Sequence, residues 1–525
     1  MGARRLLMAG TRPTVTAFDA TSLIFDTVLK ILVGASTFGS MSFRTRLALP
    51  VACYVVLLVS ALQTLVVPVV ADIRADLGVS TSAASWVVTA NLLAAAVLTP
   101  VLGRLGDLYG RRPVMLGVLG VVLAGSVLAA ATSSLPLLLA GRVAQAASFG
   151  LFPLAIGMLR EELPPRRLTG AMALVSGMLS VGAGFGLVVT GLLMRGGGDY
   201  HQLFWLATAM AAIGLAGVWL LPRRAGAATG RLDWAGAGLL GLGLVLLILP
   251  LEEGNGWGWG SARVIGSLVA AVVVLGAFVL LERRITHPLV SPRMLTYRPI
   301  VLANVVGLFL GFAMFAVFLA VSALVQTPPE VAGYGFGASV LAASLVYLLP
   351  GTASGVLTAP LGGRLVVRFG AKATLLIAAV LAAAGFGMLA VLHAATWQIV
   401  VGALVVNTAV TFGYAALPPL LIANVAPAET GIANGVNSIA RSVGMSLGTA
   451  FVVTMMTRNP IPGAVPLPRE AQFVTTFVVG AVLAAVAAAL IAVALPRERA
   501  AGLTPAEVAA DDVLGAAGLP VPAPR

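Results

Sequence analysis

The sequence contains very little charge for its length. Only 10% of its 525 residues are charged, whereas an ordinary soluble domain carries roughly 25%. A soluble chain of this length would form two or more domains, each with a charged surface. Instead, 59% of the residues are hydrophobic, and they occur in runs of about twenty, enough for a helix to cross a ~30 Å hydrocarbon core. These features exclude a water-soluble protein and predict an all-α integral membrane protein.

Residues that bind metals or form disulfides are also scarce. There is one cysteine, Cys53, and there are three histidines, so an intrachain disulfide is excluded and neither a metal site nor a cofactor is expected. The net charge of +13 would suggest a nucleic-acid partner in a soluble protein. Because the basic residues lie mainly in short loops between apolar runs, we expect them to orient the chain in a bilayer, with no nucleic-acid partner.

The apolar runs predict fourteen transmembrane spans, with most connections short. We predict an N-terminal extension (1–46), a first six-helix bundle (47–221), two inserted helices with cytoplasmic linkers (222–299), a second six-helix bundle (300–495) and a disordered cytoplasmic tail (496–525). Residues 1–40 are expected to be dispensable, because Met41 opens an ordinary lead into the first span. The spans are predicted near 47–71, 85–102, 113–131, 135–159, 170–193, 203–221, 234–251, 262–281, 300–326, 338–362, 373–392, 397–423, 431–456 and 472–495.

Arginine is distributed unevenly between the two sets of loops. Basic residues of cytoplasmic loops exceed those of outer loops in membrane proteins, which sets the orientation. The loops on the side of the N-terminus hold most of the arginines, and the opposite segments hold only Arg74, Arg195, Arg263, Arg458 and Arg469. We therefore predict a multi-pass protein of the cell membrane with both termini in the cytoplasm.

The chain contains an internal repeat. The segment GRLGDLYGRRP begins at Gly103, and GRLVVRFGAKA begins at Gly363. In addition, RRLTG ends at Gly170 and PAETG ends at Gly431, each before a glycine-rich span. Two homologous six-span halves with a substrate site between them are a transporter design.

Several segments carry a resemblance to a known family. The loop 103–112 resembles the signature loop of the major facilitator superfamily, and the stretches RLDWAGAGLLGLGLVLLILPLEEGNGWGW and LERRITHPLVSPRML resemble the inserted spans of its fourteen-span drug:proton antiporter family. The resemblance covers roughly 44–495. It implies the major facilitator fold, alternating access and a secondary transporter that is not an enzyme.

The signature loop supplies the first candidate site. Gly103 and Gly110 suit a tight turn and close helix contact. In the family this loop locks the cytoplasmic side, which implies a gating role for Asp107 and Arg111, with Arg112 beside them. The alternative is that Arg111 and Arg112 only orient the chain.

Two arginines lie inside spans, where charge is costly and usually faces a cavity or a partner. Arg142 and Gln145 resemble part of the family's second motif, with snorkelling of Arg142 to the interface as the alternative. Asn434, Asn437 and Arg441 are spaced three and four apart, so they share one helix face. This face predicts a cavity lining, although helix–helix hydrogen bonding would also explain it.

Two family patterns are only partly present. In the fifth span, Gly182, Gly186 and Gly191 would allow close helix packing, but Leu187 stands where the antiporter motif has proline. In the first span, Leu62 replaces the usual acid. No Asp or Glu lies within any predicted span, and Glu252 and Glu253 fall just outside the seventh. The usual proton-carrying carboxylate is therefore missing.

Together these features predict a monomeric transporter that exports a small amphipathic organic compound or drug, with or without proton coupling. Since both interior charges are arginines, neutral or anionic substrates should be preferred over cationic dyes. The alternatives are uptake or facilitated transport of an organic anion, a membrane-embedded enzyme, and a scaffold without transport.

Overall fold

The protein is all-helical in a computed structural model that describes residues 47–79, 81–194, 198–224, 232–285, 288–291, 294, 296–339, 342–426, 429–458, 461 and 467–494. The predicted extension 1–46 and the tail from residue 495 lie outside these residues. The described part contains no β-strand, only an isolated bridge between Ile461 and Leu467. Thirteen of its helices are long and apolar enough to cross a membrane. The prediction of an all-α integral membrane protein is thus confirmed.

The first half of the molecule (47–221) and the second half (300–494) are joined by two inserted helices. In the first half the helices are α1 (Ala48–Thr64), α2 (Val70–Leu77), α3 (Thr81–Tyr109), α4 (Arg111–Ala130), α5 (Leu135–Gln145), α6 (Leu151–Glu162), α7 (Pro165–Leu193) and α8 (His201–Trp219). The inserted helices are α9 (Trp234–Trp257) and α10 (Ala262–Glu282). The second half contains α11 (Arg298–Gln326), α12 (Pro329–Ala332), α13 (Leu349–Val391), α14 (Thr396–Ile422), α15 (Thr430–Thr457) and α16 (Glu470–Ala494).

Short irregular turns interrupt several of these spans. A 3₁₀ turn, Val67–Val69, follows α1, and another, Ala146–Gly150, joins α5 to α6 within one span. A π-helical turn, Ala343–Leu348, precedes α13. Local chemistry fixes some helix starts: the Asp233 carboxylate accepts from Gly236 N at 2.9 Å, and proline occupies the first turn of α5, α7 and α11.

Helix α13 contains two membrane-spanning legs. Its 43 residues would extend about 65 Å at 1.5 Å per residue, roughly twice the thickness of a bilayer core. Gly370 interrupts it with φ 84° and ψ 166°, values open to glycine but not to a helix. Gly110 separates α3 from α4 with φ 91° and ψ 145°. The two copies of the repeat thus turn at the same glycine, and the predicted spans 338–362 and 373–392 meet at such a bend.

The two halves pack through equivalent helices. Helix α3 of the first half contacts α15 of the second, and α7 contacts both α13 and α14. Helix α6 also contacts α15. The inserted α9 packs on α3 and α15, so it touches one helix of each half, whereas α10 packs mainly on α9.

The inserted helix α9 is longer than predicted. The sequence prediction ended this span at residue 251, which placed Glu252 and Glu253 outside it. The helix continues to Trp257, and both glutamates lie within it. The prediction that no span contains an interior acid is therefore wrong for α9, because the predicted span ended six residues before the helix does.

Candidate functional site

Asp107 lies where the two halves meet. Its side chain is 0% exposed, and its carboxylate accepts hydrogen bonds from Gly431 N and Ile432 N, both at 3.2 Å. These N–H groups belong to the first turn of α15, where no intrahelical acceptor is available to them. The helix dipole also favours a negative charge at this position. A carboxylate of the first half therefore caps a helix of the second half.

Arg111 stabilises this carboxylate from the other side. Because Gly110 makes a sharp turn, α4 begins at Arg111 and returns its guanidinium to Asp107 at 2.8 Å. The same guanidinium pairs with Glu161 of α6, and Arg160 binds the Thr430 hydroxyl. Charged groups of three helices in the first half thus converge on the start of α15.

The helix backbones are also in contact at this end. A Cβ placed on Gly103 would lie 2.8 Å from Gly431 O, and one on Gly431 would lie 2.6 Å from Gly103 O. Only glycine fits such a contact, because real Cβ atoms do not approach a backbone oxygen so closely. We call this set of contacts, made by Gly103, Asp107, Arg111, Gly431 and Ile432, the Asp107 junction.

Four of the five predicted gate residues take part in this region, and the fifth does not. Gly103, Asp107 and Arg111 make the contacts, and Gly110 makes the turn. Arg112 points elsewhere: it donates to Val218 O at 3.3 Å and to Trp219 O at 2.5 Å, at the end of α8. Arg112 therefore ties two helices of the first half together.

Arg441 lies between the halves, deeper than the Asp107 junction. Its guanidinium carbon is 5.0 Å from the ring centroid of Phe152 in the first half and 5.3 Å from that of Tyr414 in the second. The guanidinium also donates to Ser438 Oγ at 3.2 Å, and the residue is 8% exposed. No carboxylate among the described residues forms an ion pair with it. The Arg441 site, meaning Arg441, Phe152, Tyr414 and Ser438, is thus a cation held mainly by two aromatic faces.

The two asparagines on the same helix have different partners. Asn437 donates to Ala303 O at 3.0 Å and to Asn304 Oδ1 at 3.2 Å, so it ties α15 to α11 within the second half. Asn434 donates to Thr430 O, while its Oδ1 is buried without a partner. Further buried and unpartnered hydroxyls belong to Ser176 on α7 and Thr408 on α14, two helices that pack against each other across the interface of the halves. These groups are available to a ligand or water.

Arg142 is enclosed within the first half. Its guanidinium donates to Val87 O at 2.9 Å, to Gln145 Oε1 at 2.7 Å and to Leu62 O at 3.4 Å, and the residue is only 1% exposed. Gln145 in turn donates to Ser126 Oγ at 2.8 Å. At Leu62, where the family pattern has an acid, the backbone carbonyl alone reaches the arginine. In this conformation Arg142 and Gln145 join α1, α3, α4 and α5 and do not face the second half.

The arrangement combines polar groups between two repeated halves with a charged junction at one end of their interface. The family model described as Major Facilitator Superfamily matches residues 52–449 and 310–521. The chain belongs to the major facilitator superfamily. It is therefore a membrane transporter, and members of this superfamily bind small molecules within the membrane and are not enzymes.

Two relatives among known transporters illustrate the similarity. The chain is 29% identical over 438 residues to the tetracenomycin C resistance and export protein of Streptomyces glaucescens, covering 80% of this chain and 77% of that protein. It is 30% identical over 410 residues to the puromycin resistance protein of Streptomyces alboniger, covering 74% and 76%.

A solved structure shows the same fold. The human organic anion transporter MFSD10 superposes with a TM-score of 0.59 at 17% identity, covering 86% of this chain and 100% of that one. At this identity the likeness concerns the fold of the transporter alone.

The fifth-span glycines of this transporter lie against its first span. A Cβ on Gly182 would meet the Leu57 backbone, and one on Gly186 would lie 2.8 Å from Ala61 O. Two threonines join the same helices: Thr64 Oγ1 donates to Ala183 O at 3.0 Å, and Thr190 Oγ1 donates to Leu65 O at 2.8 Å. Gly191 is half-buried near the end of α7.

Sequence reasoning missed several residues of this transporter. Glu161, Arg160 and Thr430 belong to the Asp107 junction region, yet none lies in a recognised motif. The pair of charges at 160 and 161, next to the end of a span, was the available signal. Phe152 and Tyr414 carried no signal, because aromatic residues are common in apolar spans.

Proposed function

We propose that this transporter exports a small amphipathic organic compound by alternating access, as a secondary transporter coupled to protons. The support is the Arg441 site, whose aromatic partners come from both halves. A ligand bound there would contact both halves at once, and their relative movement would change its access. The two Streptomyces relatives, named for export and resistance, agree with an outward direction.

We further propose that the Asp107 junction closes the cytoplasmic end, with both termini in the cytoplasm. Arginine-rich loops on that side favour this orientation. The described conformation would then be closed toward the cytoplasm. Thirteen described helices have membrane length, and α13 bends at Gly370 into two legs, which makes fourteen segments. This number and the inserted α9–α10 pair support membership of the fourteen-span drug:proton antiporter family, and we expect a monomer.

The Arg441 site favours neutral or anionic cargo over permanent cations. Arginine stays protonated at any workable pH, and this one faces no carboxylate among the described residues. A permanent cation in the site would add a second positive charge at low dielectric. We place the charge preference on Arg441 and give Arg142 a positioning role in the first half.

Flux measurements in proteoliposomes test this proposal. An anionic and a permanently cationic dye of similar size are compared for wild type, Arg441→Gln and Arg142→Gln. Because a hydrogen bond to a charged group is worth about 1.5–3 kcal/mol, Arg441→Gln should slow transport of the anionic dye by roughly ten- to a hundredfold. Arg441→Lys keeps the charge but loses the planar stacking, so its rate of anionic-dye transport should lie between those of wild type and Arg441→Gln.

The result for Arg142→Gln separates the two arginines. We expect lower thermal stability with an unchanged ratio of anionic to cationic flux, because three buried acceptors lose their donor. If the permanent cation were exported robustly and neither substitution changed that export, the proposed charge preference would be contradicted. Anion flux driven only inward would instead support the uptake of an organic anion, which an arginine without an acidic partner also favours.

A further inference from the structure

Glu252 is an acidic residue inside a membrane-length helix that also carries an acid at its neighbour, Glu253. It lies five residues before the end of α9 at Trp257, about 7.5 Å along the helix axis at 1.5 Å per residue. Its carboxyl group faces Ser446 of α15. The Oε1 atom is buried and has no hydrogen-bond partner. Acids at such depth are costly and usually functional.

A polar cluster lies between Glu252 and the near end of the helix along the sequence of α9. Thr454 Oγ1 donates to Asn255 Oδ1 at 2.8 Å, and Trp259 Nε1 lies 3.2 Å from Asn255 Oδ1 and 3.1 Å from Thr454 Oγ1. The Trp259 indole folds back over Gly254, where an added Cβ would lie 2.9 Å from the ring. The cluster joins α9 to α15 within one turn of Glu252.

On the neighbouring helices, charged side chains are few in the described part. Glu253 is the adjacent residue on α9. On α15, Arg441 lies five residues before Ser446, about 7.5 Å along the axis. The titratable residues of α3 and α10 lie toward the ends of those helices: Arg104, Asp107, Tyr109, Arg263 and Glu282.

We propose that Glu252, on the inserted helix, is the carboxylate that binds and releases the coupling proton. This inference rests on the proposed function of proton-coupled export. One proton adds to the ionised carboxylate from water on the outer side and leaves as a proton to water on the cytoplasmic side, with no other bond changed. The inserted pair thereby supplies the acid that Leu62 leaves missing in the first span.

The position of α9 explains how the proton and the cargo are linked. Helix α9 packs on α3 and α15, the two helices that meet at the Asp107 junction. One carboxyl oxygen of Glu252 is buried without a hydrogen-bond partner, which is unfavourable for an ionised carboxylate, so this conformation favours the carboxyl group with its proton bound. Separation of α3 from α15 would alter the packing on which α9 rests and admit water to the carboxyl group. Ser446 and Arg441 lie on the same helix, so this movement also reaches the cargo site.

The test measures flux of the anionic dye in proteoliposomes with and without an imposed pH gradient. Since glutamine cannot carry a proton, Glu252→Gln should reduce gradient-driven flux by roughly tenfold or more. Exchange of labelled for unlabelled dye without a gradient should stay close to wild type. Glu253→Gln is the matched control and should retain driven flux, and Glu252→Asp should restore much of it.

The outcomes separate this inference from the proposed function. No flux of any dye by wild type would refute the proposed function itself. If Glu252→Gln showed the same gradient-driven flux as wild type, the role of Glu252 would be overturned. If well-folded Glu252→Gln lost both exchange and driven flux, the role would also be overturned, since the residue would then be needed for cargo movement.

Discussion

The two copies of the repeat form two junctions between the halves, and they differ in chemistry. At the Asp107 junction, Gly103 meets Gly431, and a carboxylate with a bound arginine completes the contact. At the second, which we call the Gly363 junction, Gly363 meets Gly170 and Ala173: a Cβ on Gly363 would lie 3.6 Å from Gly170 O and 3.0 Å from the Ala173 Cβ. The glycine contact occurs in both, so it belongs to the repeated fold.

The carboxylate and the arginine of the Asp107 junction have no counterparts at the equivalent positions of the second copy. Counted from the paired glycines, Val367 takes the place of Asp107, and Ala371 that of Arg111. Val367 is 65% exposed, whereas Asp107 is fully buried. The close backbone contact therefore occurs in both copies of the repeat, whereas the carboxylate and arginine that would strengthen or release it occur at these positions in the first copy. We expect the Asp107 junction to control closure and the Gly363 junction to serve as a pivot.

The largest expected effect comes from Asp107→Asn. Asparagine keeps one acceptor but loses the charge that binds Arg111 and the start of α15. Hydrogen bonds to charged groups contribute about 1.5–3 kcal/mol, so the ratio of closed to open molecules should fall by roughly ten- to a hundredfold. The reporter is Ala433→Cys in a Cys53→Ser background, since Ala433 is buried on α15, two residues from Gly431. Its labelling by a membrane-impermeant thiol reagent should rise, and flux should fall.

Unchanged labelling together with unchanged flux would contradict the comparison. The loop 103–112 would then act only as an orientation signal. Protein yield and thermal stability of Asp107→Asn should remain close to wild type, because the substitution leaves the helices intact.

Much of the molecule was predictable from its sequence because the signals were periodic or repeated. Apolar runs gave the helices, and the repeated glycine segments located both turns, Gly110 and Gly370. The partner of Asp107 was not predictable, because Gly431 is 324 residues away and contributes a backbone N–H group. Every residue carries the same backbone groups, so residue identity does not indicate which of them form contacts. The carbonyl partners of Arg142 were not predictable for the same reason. The prediction placed Glu252 outside α9 because it ended this helix six residues too early, a larger error than the roughly two to four residues usual for helix ends.

A smaller effect is expected from alanine at the paired glycines. In Gly103→Ala the new Cβ would meet a backbone oxygen, Gly431 O, at 2.8 Å, and the helices must separate. In Gly363→Ala the new Cβ would meet the Ala173 side chain at 3.0 Å, where a small shift suffices. Overpacking costs typically about 1–3 kcal/mol, so labelling of the reporter should increase for Gly103→Ala by roughly five- to a hundredfold.

The Gly363→Ala variant is the control for this pair. Buried Ala433→Cys is the reporter for both variants. Equal labelling of the two variants would show that the junctions are equivalent, and would refute the division into a controlled closure and a pivot.

The smallest effect is expected when the charge of the first junction is transferred to the second. Val367→Asp places a carboxylate at the position that corresponds to Asp107. It should not create a second closure, because the two junctions meet their partner helices at different depths. Gly431 is the second residue of α15, where the N–H groups have no intrahelical acceptor, whereas Gly170 is the sixth residue of α7, beyond the first four such groups. The new carboxylate would find no free backbone N–H group of α7 there and would stay in water, as exposed Val367 does. Labelling of Ala433→Cys and flux of the dye should therefore change less than about twofold, within the range usual for surface substitutions. A marked fall in labelling would show that any carboxylate at this register closes the junction, and that the missing acid in the second copy, not the depth of the contact, accounts for the difference between the two.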